Sequence, residues 1–217
     1  MAETSLIEPL TGHAEFDGLI SRFTNEKDAG KADAIRQSIW ERFGTEGTVF
    51  ISDMASFSST SRKLGVCHFL KLILRTRQIV GQIVRSNNGL LLKYDADNCY
   101  AFFDRPDDAI HASLEINEAL FRSNEAFDLE EHIFLSVGID YGRVLLIDDA
   151  EFFGDPVNTA SKLGEDLALR ADTLVTERAM ARATVEIPEL AERMVARISD
   201  IEIKYIRFPM TEASGSP

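Results

Sequence analysis

The chain has 217 residues, 45% hydrophobic and 27% charged, with a formal net charge of −13, which is the make-up of a globular protein with one sizeable core. That acidity excludes a general nucleic-acid binder, whose basic surface would displace counterions from phosphates. It leaves room for a small anionic ligand held through a divalent cation.

No apolar run reaches the ~20 residues of a membrane span, and the first residues carry acidic groups without an apolar leader. The two cysteines, Cys67 and Cys99, both lie in apolar runs. The expectation is a cytoplasmic protein whose thiols are reduced core residues.

Residues 1 to about 31 are polar and weakly patterned and read as an arm or a partly ordered extension. Ile35, Ile39, Trp40 and Phe43 then recur at helical spacing, with Gly44 as a stop. "TVFISDM" (48–54) reads as a buried strand ending in Asp53, and "SFSSTS" after it offers helix N-caps. A helix is expected from Ser61 to Ser86, on the apolar spacing of Val66, Phe69, Ile73, Val80 and Val84. "GLLLKYDADNCYAFF" (89–103) reads as two strands with Lys93 to Asn98 in the turn between them.

Pro106, Asp107 and Asp108 open the next helix. Residues 132–140 and 142–148 read as two strands, 152–167 as a Gly-Asp-Pro turn that becomes a helix, 172–180 as a strand running into a short helix, and 201–209 as a last strand. The order β-α-β-β-α-β followed by further strands and helices predicts an α+β fold. Its heart is a ferredoxin-like βαββαβ core with a C-terminal β/α extension. The expected division is an N-terminal arm and helix (1–46), the helix being either a cover for the core or a dimer or regulatory element, a catalytic domain (47–209) and a disordered tail (210–217).

In a ferredoxin-like sheet the first and third strands are neighbours, so Asp53 at the end of one faces Asp97 at the start of the other. Two carboxylates brought together repel unless protonated or bridged by a cation. Mg²⁺ uses one or two carboxylates and completes its shell from water and phosphate oxygens. A helix N-terminus after Asp53 would favour the phosphate. Asp95 and Asp97 also begin a D-x-D calcium loop, but Tyr100 and Pro106 fall where that loop needs Gly and Glu. His68 and His111 sit on helices at no metal-ligand spacing.

Four segments in order resemble the class III nucleotide cyclases, the adenylate and guanylate cyclases. "VFISDMASFSSTS" looks like that family's first metal motif, and "NGLLLKYDADNCYAFF" like its Lys- and Asp-bearing hairpin. "LSVGIDYGRVLL" is similar to its Gly-Ile-x-x-Gly strand pair, and "EFFGDPVNTASKL" to its Phe-Gly-Asp-x-Val-Asn-x-Ala-x-Arg-Leu segment.

The resemblance implies that Asp53, Asp97 and the Met54 carbonyl hold two Mg²⁺ or Mn²⁺ ions. It implies that the backbone around Phe57 and Ser58 holds the triphosphate, and that Lys93 and Glu151 read the base. It further implies that Asn158 orients the ribose and that Lys162 stands in the place of a transition-state arginine. Lysine there lacks the planar fork of arginine, and Ser56 and Ala96 replace two of the family's glycines. The implied activity is ATP to cyclic AMP and pyrophosphate in a head-to-tail homodimer. The alternative is a degenerate cyclase-fold protein that binds nucleotide or a partner without turnover.

Overall fold

The computed structural model describes residues 9–55, 65–169, 171–198 and 201–209. The expected helix caps in "SFSSTS", the backbone around Phe57 and Ser58, and the tail from residue 210 lie outside them. Two helices, α1 (Ala14–Asn25) and α2 (Ala29–Phe43), lead into strand β1 (Gly44–Met54). Then follow α3 (Val66–Ser86), β2 (Leu90–Asp95), β3 (Asn98–Phe103), α4 (Pro106–Asn124) and β4 (Leu135–Ile147). The remainder comprises β5 (Glu151–Phe153), α5 (Asp155–Ser161), a π-helical segment (Lys162–Leu167), β6 (Thr173–Thr176), α6 (Glu177–Met180), β7 (Glu192–Ile198) and β8 (Ile201–Phe208).

One sheet runs β2-β3-β1-β4-β6-β8-β7, with β5 added to β4. Its first four strands are the antiparallel ferredoxin-like set, with β1 between β3 and β4. Strand β6 continues parallel to β4, and the β8–β7 hairpin closes the far edge. The expected α+β core with a C-terminal extension is therefore the architecture found.

β1 is the middle of this core because its apolar residues serve both faces, as the two-residue period of a strand requires. Phe50 joins the cluster under α3 and α4, with Phe103, Ile110 and Ile116. Its neighbours Val49 and Ile51 join Phe102, Val144 and Ala160 on the opposite face, beneath α5. The segment carrying α5 lies directly on the sheet. A Cβ at Gly138 would come within 2.0 Å of the Ala160 carbonyl oxygen, so only glycine allows β4 and α5 to approach so closely.

Several local expectations are corrected. The N-terminal stretch is not a bare arm over its described part. His13 caps α1 by accepting the Phe16 N–H on its side chain, and Phe16 and Leu19 bury against Ile35, Ile39 and Ile147. Histidine is an unusual cap, so the start carries little signal. Residues 132–140 and 142–148 do not form two strands. β4 runs unbroken because β1 pairs with it from Gly44↔Leu145 to Met54↔Leu135. Strands β5 and β7 were not anticipated, and β7 is an edge strand whose side chains from Glu192 to Val195 are exposed. Cys99 is buried as expected, whereas Cys67 is exposed near the start of α3.

Candidate functional site

Asp53 lies next to the end of β1, where Ser52 is paired with Cys99 of β3. The chain reverses just beyond, through Ala96 at φ 48, and this turn carries Asp97 alongside Asp53. Lys93 is not in that turn. It belongs to β2, opposite Tyr100, and only Asp95 to Asn98 make the reversal.

The electrostatics of the pair are those of charge confined without a partner. Burial, reinforced by Asp97 and Glu165, pushes the Asp53 carboxyl up to about 7, against a lowering hydrogen bond from the Met54 backbone N–H. Burial likewise raises Asp97, opposed by backbone N–H groups of Asp97 and Met54. One Asp97 oxygen, Oδ2, is buried with no hydrogen-bond partner. Among the described residues no group of three or more His, Cys, Asp or Glu side chains is arranged to hold a metal. Two converging carboxylates, one with an orphaned oxygen, nevertheless fit an ion that draws its remaining oxygens from water and substrate. The Met54 side chain is buried in the core, leaving its backbone to face the carboxylates.

A second grouping joins two strands that do not pair with each other, β2 and β5. Lys93 Nζ contacts both Glu151 oxygens, at 2.7 and 2.8 Å, and sits 5.3 Å from the centroid of the Tyr100 ring. Two residues 58 apart in sequence thus form one charged couple beside an aromatic face. Asn158 and Lys162 are one helical turn apart, the Lys162 N–H bonding to the Asn158 carbonyl, so they share a face. Asn158 is exposed and Lys162 half-buried. Among the described residues, no hydrogen bond or ion pair links Asp53 or Asp97 to Lys93, Glu151, Asn158 or Lys162.

Two residues escaped the sequence reading. Glu165, in the π-helical segment, accepts from Asn98 Nδ2 at 3.2 Å and from Ser161 Oγ at 2.8 Å. Its charge thereby lies beside the aspartates, yet nothing in the sequence distinguishes it from a solvated helix residue. Arg178 ties α6 to the sheet through fully buried Asp140 and to α5 through Asp155 at 2.7 Å. Thr176 Oγ1 also donates to Asp140, at 2.6 Å. This network fixes the start of the helix that carries Asn158.

The comparisons agree on the fold. The chain is similar to an adenylate/guanylate cyclase/hydrolase from Silicibacter pomeroyi, at 22% identity and TM-score 0.64, covering 76% of this chain and 96% of that one. It is similar to the adenylyl cyclase CyaB from P. aeruginosa, at 16% identity and TM-score 0.64, covering 78% and 96%. It is also similar to the guanylate cyclase domain of RhGC from Catenaria anguillulae solved in complex with GTP, at 16% identity and TM-score 0.64, covering 76% and 96%. Among curated proteins, "Putative adenylate cyclase 3" of Rhizobium meliloti (strain 1021) is 24% identical over 92 residues, 42% of this chain and 16% of that protein. No protein-family profile matches the chain. The fold is that of the class III nucleotide cyclase catalytic domains.

Proposed function

We propose that the chain is a nucleotide cyclase that converts ATP to cyclic AMP and pyrophosphate as a head-to-tail homodimer. The observation that carries this reading is the pair of half-buried carboxylates, Asp53 and Asp97, brought side by side in a cyclase fold with one Asp97 oxygen unpartnered. The Lys93–Glu151 couple joins β2, at one edge of the sheet, to β5, the strand paired with β4.

In this reading Asp53 and Asp97 hold two Mg²⁺ or Mn²⁺ ions, with the Met54 carbonyl as a further ligand. When bound, these ions neutralise the triphosphate and favour ionisation of the ribose 3′-hydroxyl. The partner subunit supplies the nucleoside half of each site. Lys93 and Glu151 give up part of their mutual contact to bond the edge of the adenine ring. Asn158 orients the ribose, and the Lys162 ammonium lies against the charge that develops on the phosphate. The backbone around Phe57 and Ser58 holds the triphosphate.

The 3′-oxygen then attacks the α-phosphorus in line as the bond to the bridging oxygen breaks. Pyrophosphate leaves with that electron pair, and the hydroxyl proton passes to water. These residues act by positioning and by charge, since the chemistry requires no covalent intermediate on the protein.

One observation favours the alternative of binding without turnover. Lys162 offers a single hydrated charge where a planar, bidentate arginine would spread over two phosphate oxygens. Incubating the purified chain with ATP, GTP, CTP and UTP, each in Mg²⁺ and in Mn²⁺, separates the readings. Cyclic AMP that disappears in Asp53→Ala supports the cyclase, and a different cyclic product discards adenine as the base. Metal-dependent nucleotide binding with no cyclic product supports the alternative.

A further inference from the structure

Away from Asp53 and Lys93, a cleft of about 580 Å³ opens between α4, the turn before β6 and the end of β8. Its walls are largely apolar: Leu114 and Phe121 from α4, Leu190 from the segment before β7, and Phe208 from β8. Leu114 and Leu190 remain 41% and 61% exposed. The volume lies in the range of small-molecule sites, which combine apolar walls with a few placed polar groups.

The polar group here is Asn117, 7% exposed and part of the lining. Its Nδ2 donates to the Ala171 carbonyl at 3.0 Å, which fixes the orientation of the amide. The remaining oxygen, Oδ1, is buried and accepts from no donor. A buried acceptor left alone costs on the order of 1–3 kcal/mol, and a guest bringing an N–H or O–H recovers it. Among the described lining residues the charged ones are Glu118 and Glu189. An anionic guest is therefore disfavoured and a cationic one favoured.

The same Asn117 anchors a turn that reaches the strand beside the candidate site. The Asp172 carbonyl accepts the Val137 N–H at 2.9 Å, Ser136 Oγ donates to the Leu169 carbonyl at 3.0 Å, and Ser136 is the register partner of Asp53.

We propose that this cleft binds a small, flat apolar molecule, neutral or cationic, that carries a hydrogen-bond donor, the chemistry of an arylalkylamine. The site is separate from the nucleotide site and does not depend on turnover there.

Two matched probe pairs test it on the ¹⁵N-labelled full chain, read by amide shifts and by calorimetry. Tryptamine against indole-3-acetate varies the charge, and indole against benzofuran removes the ring donor. The expected result is saturable shifts at the amides of Asn117, Phe121 and Ala171. Tryptamine should bind about tenfold tighter than indole-3-acetate, and indole tighter than benzofuran, as expected where a buried acceptor goes unanswered. Leu114→Arg, at an exposed rim position, should abolish binding while leaving the rest of the spectrum in place. No shifts at those three amides, no preference within either pair, or unchanged binding in Leu114→Arg would overturn the proposal.

Discussion

Replacing Asp53 by Asn should stabilise the metal-free protein at neutral and alkaline pH. Its carboxyl ionises near 3.8 in an ordinary setting and at about 7 in the folded chain, because burial and the neighbouring Asp97 and Glu165 disfavour the anion. Below the lower value both folded and unfolded states are protonated, and Asp53 imposes no penalty. Between the two values the unfolded chain has released its proton while the folded chain keeps it, so stability falls as pH rises. Above about 7 the penalty is constant. A rise of about 3 pH units corresponds to roughly 4 kcal/mol, and solvent screening of this partly exposed group reduces it to about 2 kcal/mol.

Asparagine keeps an acceptor for the Met54 N–H and removes the charge. The assay is chemical denaturation of parent and Asp53→Asn in EDTA across pH 4.5 to 8.5. The variant should be more stable by about 2 kcal/mol at pH 8, with the advantage shrinking toward pH 4.5. An Asp53→Asn protein that is equally or less stable at pH 8, or whose difference from the parent ignores pH, would refute the reasoning. Saturating Mn²⁺ should then stabilise the parent and not the variant, because a ligand that binds only the folded state adds to its stability.

Other perturbations follow from the same geometry. Lys93→Ala should lower kcat/KM for the preferred nucleotide by about tenfold or more. It should shift Tm by no more than about 4 °C, since a half-exposed ion pair contributes about 0–1 kcal/mol. A large loss of Tm with unchanged kinetics would make the couple structural. Gly138→Ala should cost about 3 kcal/mol or prevent folding, because the new Cβ would collide with the Ala160 carbonyl; wild-type stability in denaturant would contradict that contact. Arg178→Met leaves Asp140 buried with Thr176 and Tyr141 as its remaining donors, and should cost about 3 kcal/mol in urea titrations. A loss below about 1 kcal/mol would show that the arginine is not needed to hold that charge.

Legibility in the sequence followed exposure. β1 could be read because "VFISDM" is buried on both faces and shows as an uninterrupted apolar run. Asp53 could be singled out because it is the first charge after that run. Asp97 and Lys93 are visible as charges between two apolar strands, although the turn is narrower than the run of charges suggests, since an alternating strand tolerates Lys93 on its half-open face.

β7 could not be read in the same way. "ERMVARI" lies at the sheet edge with most of its side chains in water, so no apolar period forms. Glu165 was invisible for a related reason: an exposed glutamate in a helical segment is ordinary, and only the fold brings it beside Asp97. The Lys93–Glu151 contact could not be derived from spacing at all, because the pairing of β4 with β5 and the path of the sheet decide which distant charges meet.

The central claim is that each site is shared, with Asp53 and Asp97 from one protomer and Asn158 and Lys162 from its partner. Mixing two inactive variants, Asp53→Asn and Asn158→Ala, tests it most directly, with cyclic nucleotide production as the readout after subunit exchange. Random pairing makes half of the dimers mixed, each with one intact site, so activity should return to about a quarter of the parent's. Activity that stays at the level of the separate variants would contradict the shared site.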